Sequence, residues 1–219
     1  MQTDLKTLFL KALDTDKNYS EAHLQLALLY QDEKDCKNVE KHFDAAIISD
    51  CKEAETLDDN GNILLKKSQF QNAKEQFVKA QEKKNHCANV YYQQSKYFQN
   101  QSNTEAQQAA LANSIEMNPF ESDYYRELGI LLSKQNQLNN AKTQLEKALD
   151  LNYADFQSHF NLGKIMIKMK SYKDAEQHFL SALDINPEFV DCKIELADLK
   201  LKIKKKKKVN KTSIDKKKC

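Results

Sequence analysis

Glycine occurs three times, proline twice and tryptophan not at all in 219 residues. So few turn formers leave strand hairpins and sharp corners without support, whereas abundant Ala, Leu, Lys, Gln and Glu favour helix. The chain is expected to be all-α. Glycines at 61, 129 and 163 alone exclude a Gly-rich phosphate loop. No run approaches the roughly 18 apolar residues that a membrane-spanning helix needs, and the most apolar stretch, His23 to Tyr30, is far shorter. The start carries Asp4 and lacks the basic, apolar and small-residue segments of a secretory signal. A soluble, cytoplasmic protein is expected, neither secreted nor membrane-spanning. Cys36, Cys51, Cys87, Cys192 and Cys219 form no C-x-x-C pair and are read as reduced thiols. Without a secretory route, the N-x-S/T sites at Asn18, Asn100 and Asn210 are chance matches.

What the chain does have is a period. Leu128-Gly129 recurs 34 residues later as Leu162-Gly163, and the same step backwards reaches Gln94-Ser95, Asn60-Gly61 and Leu26-Ala27. Phe9, Phe43, Phe77, Leu111, Leu145 and Phe179 form a second column, and Ala12, Ala46, Ala80, Ser114, Ala148 and Ala182 a third. Within each period the apolar residues fall at helical spacing in two stretches, separated by short polar turns such as Lys67-Ser68-Gln69 and Gln135-Asn136-Gln137. Each unit therefore reads as a helix hairpin. Large and small columns alternate because two helices approach closely only where a small side chain faces a bulky one.

On these residues the chain resembles the tetratricopeptide repeat family. Residues 156–189 carry Leu162-Gly163, Tyr172, Ala175, Phe179, Ala182-Leu183 and Pro187 where that pattern wants them, with His159 in place of an aromatic. Residues 122–155 match nearly as well. Residues 54–87 keep Gly61, Phe70, Ala73, Phe77 and Ala80 but lack the closing proline, and residues 88–121 diverge most, with Gln94-Ser95 and Gln107. That divergent unit is where the array is expected to loosen or bend. The resemblance implies a right-handed superhelical solenoid of antiparallel hairpins over residues 1–203. Its full units are 20–53, 54–87, 88–121, 122–155 and 156–189, with half units 1–19 and 190–203. In the C-terminal half unit Lys193, Glu195, Asp198, Lys200 and Lys202 are expected to form a polar cap. The N-terminal helix, with Leu5, Leu8, Phe9 and Leu13, is less covered and suits self-association.

Charge is unevenly spread. From Lys202 onward the chain holds ten Lys and one Asp, a net of +9 against +2 overall, so the rest carries −7. Residues 204–219 have too few apolar groups to offset the entropy of ordering and are expected to be a disordered tail. Its run Lys204, Lys205, Lys206, Lys207 and Lys208 suits a nuclear-import signal, nucleic acid or an anionic surface, although solubilisation is the simpler reading and the acidic body opposes such partners.

Catalysis needs convergent titratable groups in a pocket, and packing occupies most of the repeated columns here. His23, His42, His86, His159 and His178 form no H-E-x-x-H, and His23 and His159 stand in a packing column. No enzyme activity, small-molecule substrate, metal or cofactor is expected. Function then falls to the concave face, which the resemblance assigns to the first helix of each hairpin. The candidate groove residues are Asp58, Asp59, Asn62, Tyr92, Gln93, Lys96, Arg126, Glu127, Ile130, Phe160, Asn161 and Lys164, with Tyr92 and Phe160 as apolar anchors. A peptide or helix of a protein partner is the expected ligand, and a scaffold or adaptor in a larger complex the expected role. Chaperone adaptors of the family clamp a terminal carboxylate with Lys, Asn and Arg. The clamp places here hold Asp58, Asn62, Gln93, Asp123 and Glu127, which would repel one. Two alternatives remain: a nucleic-acid or nuclear factor using the tail, and the targeting region of a multisubunit enzyme. Against the latter, the Asn ladder of repeat-bearing glycosyltransferases is replaced by Gln25, Asp59, Gln93, Glu127 and Asn161.

Overall fold

The computed structural model describes residues 2–215, the side chains of residues 2–4, 65 and 206–215 excepted. Every element among the described residues is a helix. In chain order they are α1 (Gln2–Thr15), α2 (Ser20–Asp32), α3 (Cys36–Lys66), α4 (Phe70–Asn100), α5 (Thr104–Met117), α6 (Ser122–Lys134), α7 (Leu138–Leu151), α8 (Phe156–Lys168), α9 (Tyr172–Ile185) and α10 (Val190–Asp215). No described helix is long and apolar enough to cross a membrane.

The turn inside each hairpin keeps the period of 34. Lys34, Ser68, Ser102, Asn136 and Lys170 all adopt left-handed backbone, with φ between 57° and 62°. The next residue donates its N–H to the carbonyl five positions back, as Asp35 does to Tyr30 at 3.0 Å and Ser171 to Met166 at 2.9 Å. These are Schellman turns, which satisfy the last carbonyls of each first helix.

Between units the period is honoured unevenly. Asn118, Asn152 and Asn186 end α5, α7 and α9 in extended or near-extended backbone. Their counterparts Asp50 and Lys84 lie inside helices, followed by Cys51-Lys52 and Asn85-His86 with neither Pro nor Gly. The breaks expected at 53/54 and 87/88 are therefore absent. The second helix of one unit runs into the first of the next, and α3 and α4 reach 31 residues each, about 46 Å at the rise of an α-helix.

The two long helices pair antiparallel throughout, bringing Gly61 to Phe77 near the tip and Phe43 to Tyr97 near the far end, ring centroids 6.2 Å apart. Midway, Cys51 and Cys87 are joined as a disulfide with Cα atoms 6.2 Å apart, which corrects their reading as thiols. The pairing sets them within bridging distance, a relation that sequence spacing alone does not show. Cys36 is a free, exposed thiol and Cys192 a free, buried one; Cys219 lies outside the described residues.

In the body that ends at Pro119, the core gathers Leu24 of α2, Val39 and Phe43 of α3, and Val90 and Tyr97 of α4. Units 20–53 and 88–121 thus stack directly on each other, and residues 54–86 project as a two-helix arm. The irregularity falls on this arm and not on the divergent unit 88–121. On α1, Leu5 and Leu8 are exposed, and Phe9 and Leu13 half-buried.

The body from Phe120 onward stacks α6 to α10 in sequence, around Leu132, Leu145, Leu162, Ile165, Phe179, Leu196 and Leu199. On α10 the cap residues Lys193, Asp198, Lys200 and Lys202 do face solvent, but so do Val190, Ile194 and Leu201, so the outer face is not uniformly polar. The helix continues past Ile203 through the lysine run to Asp215, as lysine's helix propensity and the lack of Gly or Pro allow. The rest of the tail, residues 216–219, lies outside the described residues.

Candidate peptide groove

The candidate groove residues divide among three places. Asp58, Asp59 and Asn62 ride on the outer half of α3, in the arm. Asp58 is ion-paired with Lys84 across it, while Asp59 and Asn62 are exposed. Tyr92, Gln93 and Lys96 stand on the inner half of α4. The fusion of helices thus takes the first three away from the row that the repeat frame gives them. Tyr92 is 8% exposed and carries the Lys96 ammonium 4.1 Å from its ring centroid, so it is a packed ring rather than an open anchor.

Arg126, Glu127 and Ile130 lie on α6, and Phe160, Asn161 and Lys164 on α8. Arg126 is not free for a ligand. Its guanidinium donates to Asp123 at 2.6 Å and to Asp155 at 3.0 Å. Asp155 is buried and also accepts from Ser158 Oγ at 2.7 Å and from the Gln157 N–H at 3.1 Å, capping α8. Burial opposes the charge on Arg126, but the two carboxylates outweigh it and raise its pKa. This is a structural ion pair. Phe160 is half-buried against Phe179 and Phe189, with centroids 5.9 and 4.8 Å away.

Of the candidate residues, Phe160 and Lys164 of α8 line an open recess of about 210 Å³ together with Asp191, Ile194 and Glu195 of α10. Ile194 is 57% exposed at its edge, and Lys164 Nζ sits 5.2 Å from the Phe160 ring centroid. Reading Val190 onward as a cap hid this wall. The groove places applied one unit further name Asp191, Ile194 and Glu195.

Two histidine pairs repeat the same columns four periods apart. His23 and His42 meet through their Nδ1 atoms at 2.8 Å, and His159 and His178 at 3.2 Å. Nε2 of His23 reaches the carbonyl of Lys17 at 3.0 Å. His23 thus ties the preceding turn through one ring nitrogen and hydrogen-bonds the second ring through the other. Burial pushes His42 down to about 4, helped by the charge of His23, and likewise lowers His159 and His178. At the base of the arm His86 goes the other way. Hydrogen bonds to the buried Asp50 and, against burial, to Glu21 raise it to about 9. No group of three or more His, Cys, Asp or Glu arranged to hold a metal occurs among the described residues.

Residues 122–155 and 156–189 each match the family model of the tetratricopeptide repeat. Among solved structures, MamA aligns with a TM-score of 0.60 at 17% identity, over 84% of this chain and 87% of its own. The TPR domain of Arabidopsis OM64 aligns over 53% of this chain and 96% of its own, with a TM-score of 0.52 at 16% identity. The first TPR of Spaghetti (RPAP3), solved bound to an HSP90 peptide, gives 0.52 at 12% identity, over 53% and 94%. At such identities the likeness is one of fold. No curated protein matches the chain in sequence. Residues 122–189 are thus tetratricopeptide repeats by sequence, set in a chain of helix hairpins that shares the family's fold.

Proposed function

We propose that the protein is a non-catalytic scaffold or adaptor that holds a segment of a partner protein, with the recess between α8 and α10 as its docking point. The observation that carries this is the composition of the recess. An exposed Ile194 and a half-buried Phe160 supply apolar contact, flanked by Asp191 and Glu195 on one wall and Lys164 on the other. Such a site suits an apolar side chain next to a basic one, on a pre-organised surface that binds without ordering itself. The tetratricopeptide fold is generally an interaction module, which agrees. Affinity capture from native lysate should recover protein partners with the wild-type chain and lose them with Ile194→Lys combined with Asp191→Lys. Both positions are solvent-facing, so the fold should survive. Partners that bind the double variant undiminished would overturn the reading.

The relative solved with an HSP90 peptide does not extend to ligand here. In the repeat frame Asp123 and Glu127 hold clamp places, and Asp58, which holds a third, is carried off the row by the arm, so we expect no measurable binding of the SRMEEVD peptide by fluorescence anisotropy. Low-micromolar binding of that peptide would show that the clamp had been misplaced.

A further inference from the structure

The bridge between Cys51 and Cys87 closes residues 52–86 into a loop, which is the arm and little else. Beyond the bridge the arm exposes columns that the other units bury. Ile63 is 49% exposed, whereas its counterparts Tyr97, Leu131 and Ile165 are 2%, 2% and 0% exposed. Phe77 is half-buried, although Phe43, Leu111, Leu145 and Phe179 in its column are fully buried.

Two segments of the chain are patterned for one face. Leu57, Ile63 and Leu64 on the outer half of α3 stand 34 residues before Tyr91, Tyr97 and Phe98 on the inner half of α4. The second set packs with Leu24, Val39 and Phe43. Of the first, Leu57 and Leu64 are half-buried and Ile63 is exposed, although the repeat frame sets this segment directly after unit 20–53. The disulfide decides between them. Cys87 is fully buried in the same core as Val90, and its bond to Cys51 holds the inner half of α4 on the face. With unit 54–87 inserted in sequence, Cys51 and Cys87 would each lie at the junction after a unit, and so a whole unit apart. Packed helices lie about 8–10 Å from each other, whereas a disulfide tolerates Cα separations only up to about 7 Å. The bridge and the regular stack exclude each other.

We propose that Cys51 and Cys87 form a redox latch that selects between two packings of residues 54–87. Oxidised, the arm stands out from the stacked units 20–53 and 88–121. Reduced, α3 and α4 break at the unit boundaries, residues 54–66 take the face, and the hairpin enters the stack between those units. Ile63 and Phe77 then gain cover, and this burial drives the change. The step needs a dithiol. Its thiolate attacks Sγ of the half-buried Cys51 and displaces Cys87 as a thiolate, which takes up a proton. Its second thiol then displaces Cys51, so two electrons and two protons pass to the bridge and the reductant leaves as a disulfide. The latch lies in a different body from the recess between α8 and α10 and stands whether or not that recess binds a partner.

The test is hydrogen exchange, read by mass spectrometry, on the full chain oxidised and after reduction by a dithiol. Cys51→Ser with Cys87→Ser gives a second form of the reduced state. Reduction should move two sets of amides in opposite directions. Those at the boundaries, 51–54 and 85–88, should exchange at least tenfold faster, because α3 and α4 no longer run through them. Those of 60–64 and 74–80 should exchange at least tenfold slower, because neighbouring units now cover them. Ile63→Asp should abolish the slowing in the double-serine chain and leave the oxidised chain unchanged, since the side chain faces solvent there. An arm whose amides all speed up on reduction is stapled and not switched, which overturns the proposal. So does an exchange pattern that reduction leaves as it was.

Discussion

A Cβ built on Gly163 would lie 2.5 Å from Cε1 of Phe179, and one on Gly61 2.6 Å from Cε1 of Phe77. The clash is the same and the outcome should differ. Phe179 is fully buried among packed neighbours and cannot yield, so Gly163→Ala should cost about 1 to 3 kcal/mol through overpacking. Phe77 sits half-exposed on the arm and can swing aside, while alanine gains about 1 kcal/mol of helix propensity over glycine. Gly61→Ala should be close to neutral. Urea unfolding of the two variants measures this; equal losses would mean that Phe77 is covered as Phe179 is. A similar argument applies to Lys170, held at φ 62° where a side chain is strained. Lys170→Gly should raise stability by about 1 kcal/mol in the same experiment.

The junctions decide which elements form. Asn85 stands in the column of Pro119, Tyr153 and Pro187, yet it lies in the interior of α4. Proline there would remove a backbone hydrogen bond and clash with the carbonyl of Gln81, at about 3 kcal/mol or more. At Tyr153 the preceding Asn152 is already extended, at φ −142°, which is the backbone that a following proline prefers. Asn85→Pro should therefore lower the melting temperature by well over 5 °C, and Tyr153→Pro should change it by less than 3 °C, taking about 4 °C per kcal/mol. Equal tolerance at the two sites would mean that α4 breaks at the junction.

The same junctions mark how far the sequence could be read. The period of 34 located all five hairpin turns, because each needs a polar stop and a large residue facing a small one. It did not show that α3 and α4 run through their unit boundaries. The missing Asn-Pro after Ser49 and after Lys83 was visible, but a family pattern supplies a break where local propensity does not. Two of the groove residues are engaged elsewhere for a related reason. Arg126 and Tyr92 stand in groove columns, yet Asp155, buried beneath α8, takes up the first, and core packing covers the second. Such claims depend on contacts between units, which a column does not record.

Over the whole molecule four histidines pull stability in opposite directions with pH. Their columns explain why. His42, His159 and His178 have folded pKa values below the unfolded value of 6.5, so their contribution is present above 6.5 and is lost as pH falls, for His42 through about 4. His86 has a folded value of about 9, so its contribution is complete below 6.5 and is lost as pH rises through 9. The groups facing it are Asp50, Glu21 and Lys83, whose Nζ lies 3.6 Å from Asp50. With the His86 side chain 28% exposed, the linked stability is about 2 to 3 kcal/mol after screening. Thermal unfolding at constant ionic strength should therefore peak near pH 6.5 and fall towards pH 9. Replacing His86 with Gln should lower the melting temperature at pH 6.5, because Asp50 loses its cation, and flatten the curve between pH 7 and 9 while the acid limb remains. If the alkaline fall survives in His86→Gln, the base of the arm is not held by an imidazolium, and the charge that binds α2, α3 and α4 at that point must be sought in Lys83.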